Sequence, residues 1–254
     1  MPMERTAGVD GCRAGWFAIV NDAAGEAELG IFASISELWG ACSDAGAILI
    51  DIPIGLISKA GGGRSCDAAA RGVLKPLRHS SVFTPPCREA LSADSYAEAC
   101  RINLRVCGRK ISKQTWGISG KIKEVDAFLL RHPEARGIFR ETHPEVCFWA
   151  MAGYAPMVHR KKSALGIAER LDLLQQIYPR SRTIFRTALE RYFRKDLAKD
   201  DIIDALANAV TARHLKDGSA TLPVNPPRDR RGLPMEMVYA RTLGVTRERS
   251  GPLR

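Results

Sequence analysis

The chain has 254 residues, 45% of them hydrophobic and 26% charged, the composition of a folded globular protein rather than a disordered one. Its longest apolar stretch, Ile48 to Ile57, is interrupted by Asp51, Pro53 and Gly55, which leaves no transmembrane span of about twenty apolar residues. Lys and Arg number 38 against 28 Asp and Glu, a net charge of +10; this favours polyanions such as nucleic acid, and a solvated basic surface equally.

The first residues carry no apolar signal region, which argues against export by that route. Seven cysteines lack any Cys-x-x-Cys pair, so reduced thiols in a cytoplasmic protein are expected, with no membrane association.

In chain order, Ala7 to Asp10, Trp16 to Val20 and Glu28 to Phe32 are short apolar runs separated by tight turns, which predicts antiparallel hairpins. Ser34 or Ser36 offers an N-cap for a short helix through Leu38 and Trp39. Ala47 to Ile52 (AILIDI) reads as a strand buried on both faces. Together these predict a mixed α/β sheet.

From about residue 58 to 133 the pattern loosens around Gly61, Gly62, Gly63 and several prolines. An insertion is expected there, with short helices at Cys66 to Leu74, Tyr96 to Val106 and Ile122 to Leu130. Gly137 to Thr142 reads as a strand, Val146 to Met151 and Ile167 to Ile177 as helices, and Lys199 to Ala212 as the clearest helix of the chain. A tail from about residue 223 holds one candidate edge strand at Met235 to Tyr239. All of this is expected to form one domain over residues 1–254. Trp16, Trp39, Trp116 and Trp149 read as core rather than as base-stacking platforms.

Several acidic positions end or interrupt apolar elements. Asp10 ends the first strand before Gly11, Asp51 sits inside AILIDI, and Glu141 and Glu145 lie at the end of a later strand. Asp201 and Asp204 share one face of the late helix, at i and i+3. If these elements pack end to end, the carboxylates converge, and oxygen-only ligands suit Mg²⁺ or Mn²⁺. Taken singly, each acid also reads as a turn former or a helix-terminal charge.

The motifs GVDGCRAGW, ILIDIPIGL, RSCDAAAR, SSVF, GISGKIKEVD, ETHPEVCF, DDIIDALANAVTAR and GLPMEMVY closely resemble the family of predicted RNase H-like nucleases called domain of unknown function 429. A more distant resemblance is to RuvC-type resolvases, in which an Asp ends the first strand, an acid lies on the fourth, and the last helix carries Asp-x-x-Asp-Ala-Leu-Ala. Asp10, Asp51 and Asp201-Ile-Ile-Asp204-Ala-Leu-Ala match those features; Asp51 departs from them, since resolvases carry Glu there.

The resemblance implies an RNase H-like fold, a mixed sheet flanked by helices with a helical insertion after the fourth strand. It also implies a two-metal nuclease acting on nucleic acid, with Asp10, Asp51, Asp201 and Asp204 holding Mg²⁺ or Mn²⁺ and Glu141 or Glu145 completing the shell or orienting water. Arg64, Asp67, Arg71, Arg78, Ser80 and Ser81, in the insertion and in these motifs, would form a substrate wall. His143 reads equally as a water-positioning residue and as the end of a strand before a helix, and Lys161 and Lys162 as a phosphate clamp or, slightly preferred, as a solvated loop. Oligomeric state is unmarked, although resolvases are dimers. A non-catalytic nucleic-acid-binding protein and an ATP- or small-phosphoester-binding protein on the same fold stay open as alternatives.

Overall fold

A computed structural model describes residues 5–22, 24–58, 63–241 and 243. The three opening runs form an antiparallel meander of β1 (Thr6–Cys12), β2 (Gly15–Asn21) and β3 (Ala27–Phe32). Only Arg13 and Ala14 lie between the paired Cys12 and Gly15. Gly15 adopts φ +138°, and a Cβ there would lie 2.1 Å from the Phe32 carbonyl oxygen, so the turn accepts glycine alone. Helix α1 (Ile35–Cys42) starts at Ser34, whose side chain accepts from the Glu37 N–H.

β4 (Ala47–Ile50) pairs parallel to β1, and β5 (Phe139–Glu141) pairs parallel to β4. The sheet order is β3-β2-β1-β4-β5. Two strands depart from expectation beside an acidic residue of interest, and β5 is shorter than the expected 137–142. β1 continues past Asp10 to Cys12, because pairing with β2 runs to the turn. β4 stops at Ile50: the Asp51 N–H still donates to Val9 O at 3.1 Å, and Pro53 follows with no N–H to continue a ladder.

The insertion lies between β4 and β5 and carries α2 (Ser65–Val73), α3 (Tyr96–Cys107) and α4 (Lys113–Arg131). α4 begins at Lys113 rather than near Ile122. Ser112 caps it by accepting from Thr115 N–H, and Gly117 and Gly120, which read as breakers, sit within the helix. Gly61 and Gly62 lie outside the described residues.

After β5 come α5 (Pro144–Met151), α6 (Ala164–Ile177), α7 (Ser181–Arg191) and α8 (Lys199–Arg213). α7 escaped the sequence reading; it carries many basic residues and no side-chain cap. β6 (Ser219–Leu222) pairs antiparallel with β7 (Met237–Ala240) in a separate ribbon, so the tail strand is shifted from 235–239 and, among the described residues, pairs with no strand of the main sheet. Among the described residues no helix is long and apolar enough to cross a membrane, and all seven cysteines are free and buried.

Side chains alternate along β1. Ala7 and Val9 join a core with α1 and α4, whereas Cys12 joins a core with α5 to α8. Gly8 and Asp10 share the Cys12 face, toward α8. That helix is buried continuously from Ile202 to Ala212, as expected of a helix enclosed by a sheet and by other helices. At Gly8 the two backbones nearly touch: an added Cβ would lie 1.9 Å from Ala209 N and 2.5 Å from Ala205 O. Asn208 secures the contact by donating its amide to Val9 O at 2.9 Å.

Gly8→Ala must therefore push α8 off the sheet. The expected cost is about 3 kcal/mol or more, the upper range for overpacking, read as a loss of stability in urea unfolding. A loss near zero would show that α8 shifts freely.

Candidate metal and active site

The contact at Gly8 places the acidic residues. Asp10 lies two residues further along the same face of β1, Asp204 lies one residue before Ala205 on α8, and Asp51 leaves the neighbouring parallel strand β4. All three line one cleft of about 390 Å³. Burial, foremost, holds the Asp10 carboxyl well above the ordinary carboxylate range, with the charges of Asp204, Asp51 and Asp201 adding to it. Asp51 is pushed up to about 6, by burial first and by Asp204 and Glu145 next, with the ammonium of Lys161 pulling the other way.

Lys161, from the loop between α5 and α6, projects into this group. Its Nζ donates to Asp204 Oδ2 at 2.7 Å. Burial opposes its charge, yet Asp204, Asp10 and Asp51 hold the ammonium protonated well above its ordinary range. The ammonium thus partly offsets the charge of the three carboxylates.

Glu145, in the first turn of α5, also lines the cleft. Its Oε1 accepts from Arg170 Nη2 at 2.5 Å, while the buried Oε2 has no partner among the described residues. A buried carboxylate oxygen without a donor calls for a ligand or a water. His143 caps α5 through Nδ1, which accepts from Glu145 N–H at 3.2 Å, so its Nε2 carries the proton toward Ser81 O at 3.4 Å. This assigns the neutral Nε2–H tautomer by its hydrogen bonds.

The other expected residues are placed differently. Glu141 lines the cleft, but its carboxylate is committed on both oxygens, to Arg64 at 2.5 Å and to Ile54 N–H at 2.7 Å. Burial raises its carboxyl, and Arg64 draws it back. Arg64 is fully buried, and its guanidinium also contacts Cys66 and Asp67. Cys66, Asp67 and Glu141 are close enough to share an ion, but the Arg64 guanidinium sits among them as their cation. Arg64 therefore anchors α2 to β5 and does not border the cleft.

Asp201 folds back to accept from Ala198 N–H at 3.0 Å, does not border the cleft, and acts on Asp10 by charge. Arg71 spends its guanidinium on Val82 O and Thr84 Oγ1. Ser80, Ser81, Asp67 and Arg78 do line the cleft. Lys162 is exposed, 3.4 Å from Asp200.

Sequence reasoning missed three contributors. Lys121 of α4 borders the cleft beside Gly11, donates to Gly15 O at 2.5 Å and lies over the Trp16 ring. Arg170 is fully buried, and nothing in α6 marks it as the partner of Glu145. Phe83 lines the cleft, and its place in the SSVF motif was the available signal.

A family model described as "Protein of unknown function (DUF429)" matches residues 8–228. No curated protein and no solved structure matches the chain.

The raised Asp51 carboxyl sets a pH dependence. Since its folded value, about 6, exceeds the ordinary 3.8, the folded state binds the proton more tightly, and stability falls as pH rises through that window. Asp51→Asn removes this loss. Without metal, the variant should gain on the order of 1–3 kcal/mol over the parent protein between pH 4 and pH 7, read from urea midpoints. Parallel pH curves for the two proteins would contradict the assignment.

Proposed function

The chain belongs to the DUF429 family, and from the geometry of its cleft we propose that it is a divalent-metal-dependent nuclease hydrolysing phosphodiester bonds. One observation carries the reading: Asp10, Asp51 and Asp204, drawn from two parallel strands and a helix, share one cleft in which burial and mutual repulsion hold Asp10 and Asp51 above their ordinary range. The β3-β2-β1-β4-β5 order, with the insertion after β4, agrees with the RNase H-like arrangement that the sequence motifs imply.

The residues fit Mg²⁺ or Mn²⁺. The donors are all carboxylate oxygens, hard ligands suited to hard cations, and Asp10, Asp51 and Asp204 would hold the ions. A bound pair of such ions supplies an acidified water and neutralises charge at the leaving oxygen.

The chain's own groups do the remaining work. Glu145 Oε2, buried and without a donor, accepts a hydrogen bond from the attacking water and orients it. Arg170 fixes that carboxylate by holding the other oxygen. His143 cannot take a proton at Nε2, which already bears one, so it serves as a hydrogen-bond donor and holds the Ser81 segment over the cleft. Lys161 and Lys121 place positive charge where a phosphodiester enters. The net charge of +10 attracts a polyanion over longer range.

Asp10→Asn tests the reading. With Mg²⁺ or Mn²⁺, the parent protein should cleave at least one member of a labelled panel of single-stranded, duplex, hybrid and branched DNA and RNA. The variant should lose about 10²- to 10³-fold in rate, the scale of removing a group that acts on the transition state, while melting no lower than the parent. Equal cleavage by both would remove Asp10 from the reaction; a panel left intact by the parent would remove the nuclease.

A further inference from the structure

The cleft that holds the carboxylates has a second end, built by the insertion, and its shape restricts what can enter. Its volume of about 390 Å³ lies at the low end of the ~300–1,000 Å³ range of small-molecule pockets. Walls come from the strand ends, from the 78–85 segment, from α4 and from the start of β7. A site of this size suits one nucleotide, the way enzymes that act on single bases take them in, whereas duplexes are gripped across broad open surfaces.

Phe83 is the distinctive side chain of that end. It is half-buried and lines the cleft. Among the described residues it joins no hydrophobic cluster and stacks on no other ring. An aromatic ring outside the core would ordinarily be poorly fixed, yet the backbone around this one is held. Arg71 donates to Val82 O at 3.1 Å and to Thr84 Oγ1 at 2.7 Å, one residue to either side of the ring. Thr115 Oγ1 donates to Thr84 O at 3.2 Å. The buried Arg64 anchors the same insertion to β5.

Gly117 is the second feature. It sits inside α4, where glycine costs about 1 kcal/mol relative to alanine. Its backbone φ lies outside the positive range, and an added Cβ would meet nothing within 4 Å. Neither conformation nor packing demands glycine there. Gly117 nevertheless borders the cleft, and the missing side chain leaves open space on that wall. Gln114, one turn earlier, exposed and also on the cleft wall, has no hydrogen-bond partner among the described residues.

We propose that the cleft takes one unpaired nucleotide, its base against Phe83 and the open face at Gly117 and its phosphate toward Asp10, Asp51 and Asp204. The proposal rests on the nuclease reading for the phosphate end and on Phe83 and Gly117 for the base end. Phe83 gives stacking energy without choosing among bases, because every base presents a π face. Gln114 is the side chain available to read a base edge.

The test pairs equilibrium binding with cleavage. Thymidine 5′-monophosphate and inorganic phosphate are titrated by calorimetry, with Mg²⁺ present, into the parent protein, Phe83→Ala and Gly117→Leu. Leucine is a good helix former, so Gly117→Leu keeps α4 while filling the open face; melting curves confirm folding of both variants. The expected result is at least about a tenfold loss of nucleotide affinity in each variant, the scale of one lost base stack, with phosphate affinity unchanged. Nucleotide bound no more tightly than phosphate by the parent, or equally by all three proteins, would overturn the proposal.

The cleavage arm uses the 4-nitrophenyl ester of thymidine 5′-monophosphate, linear and circular single-stranded DNA, and blunt duplex DNA. Faster turnover of the ester identifies a free nucleotide as the source, and faster turnover of a strand identifies a nucleic acid. Duplex cut as fast as single strand would contradict a one-nucleotide site. Cleavage without Phe83 dependence would leave the nuclease and remove the nucleotide pocket. Phe83-dependent binding without cleavage of any substrate would do the reverse.

Discussion

The contact between β1 and α8 at Gly8 governs the rest of the molecule. Any side chain at that position would strike the helix backbone, at 1.9 Å from Ala209 N, and would force the two elements apart. With glycine there, α8 lies against the sheet closely enough for Asn208 to bond to a β1 carbonyl, and Asp204 comes into the same cleft as Asp10 and Asp51. One missing side chain therefore determines both the tight packing of the central helix and the meeting of the carboxylates.

That meeting is unfavourable by itself. Three carboxylates in a partly enclosed cleft repel one another, and the protein answers in two ways: Asp10 and Asp51 retain protons more strongly than usual, and Lys161 inserts an ammonium beside Asp204. Both are costs that a fold evolved for stability alone would avoid. Burial raises the nearby acids too, but these are paired within the structure: Glu141 with the buried Arg64 and the Ile54 N–H, and Asp201 with the Ala198 N–H. The contrast between acids paired within the structure and acids left facing a cavity separates framework from candidate chemistry, which spacing in the sequence did not do.

Much of the fold was legible because its signals are local. The alternating runs of β1 to β3, the doubly buried β4 and the long helix after Lys199 follow directly from apolar periodicity. α7 was invisible because it is rich in arginine, with only Ile184 and Ala188 among its apolar residues buried. α4 was shortened because Gly117 and Gly120 read as breakers, although packing of Ile122, Val125 and Phe128 holds the helix. The carboxylate positions were legible as motifs, but partner choice was not. Whether Arg64 faces a ligand or Glu141, and whether Arg170 is solvated or buried on Glu145, depends on contacts between residues 77 and 25 positions apart, which no local pattern encodes.

The central claim, that the strand ends and α8 form a divalent-cation site, is tested most directly by calorimetric titration of Mn²⁺ at pH 6 in two buffers of different ionisation enthalpy. Because Asp10 and Asp51 hold protons more strongly than ordinary carboxyls, binding should be accompanied by net proton release, seen as a difference in heat between the buffers. That signal should disappear in Asp10→Asn. Absence of binding, or binding unchanged in heat and affinity by the substitution, would contradict a metal site at these carboxylates.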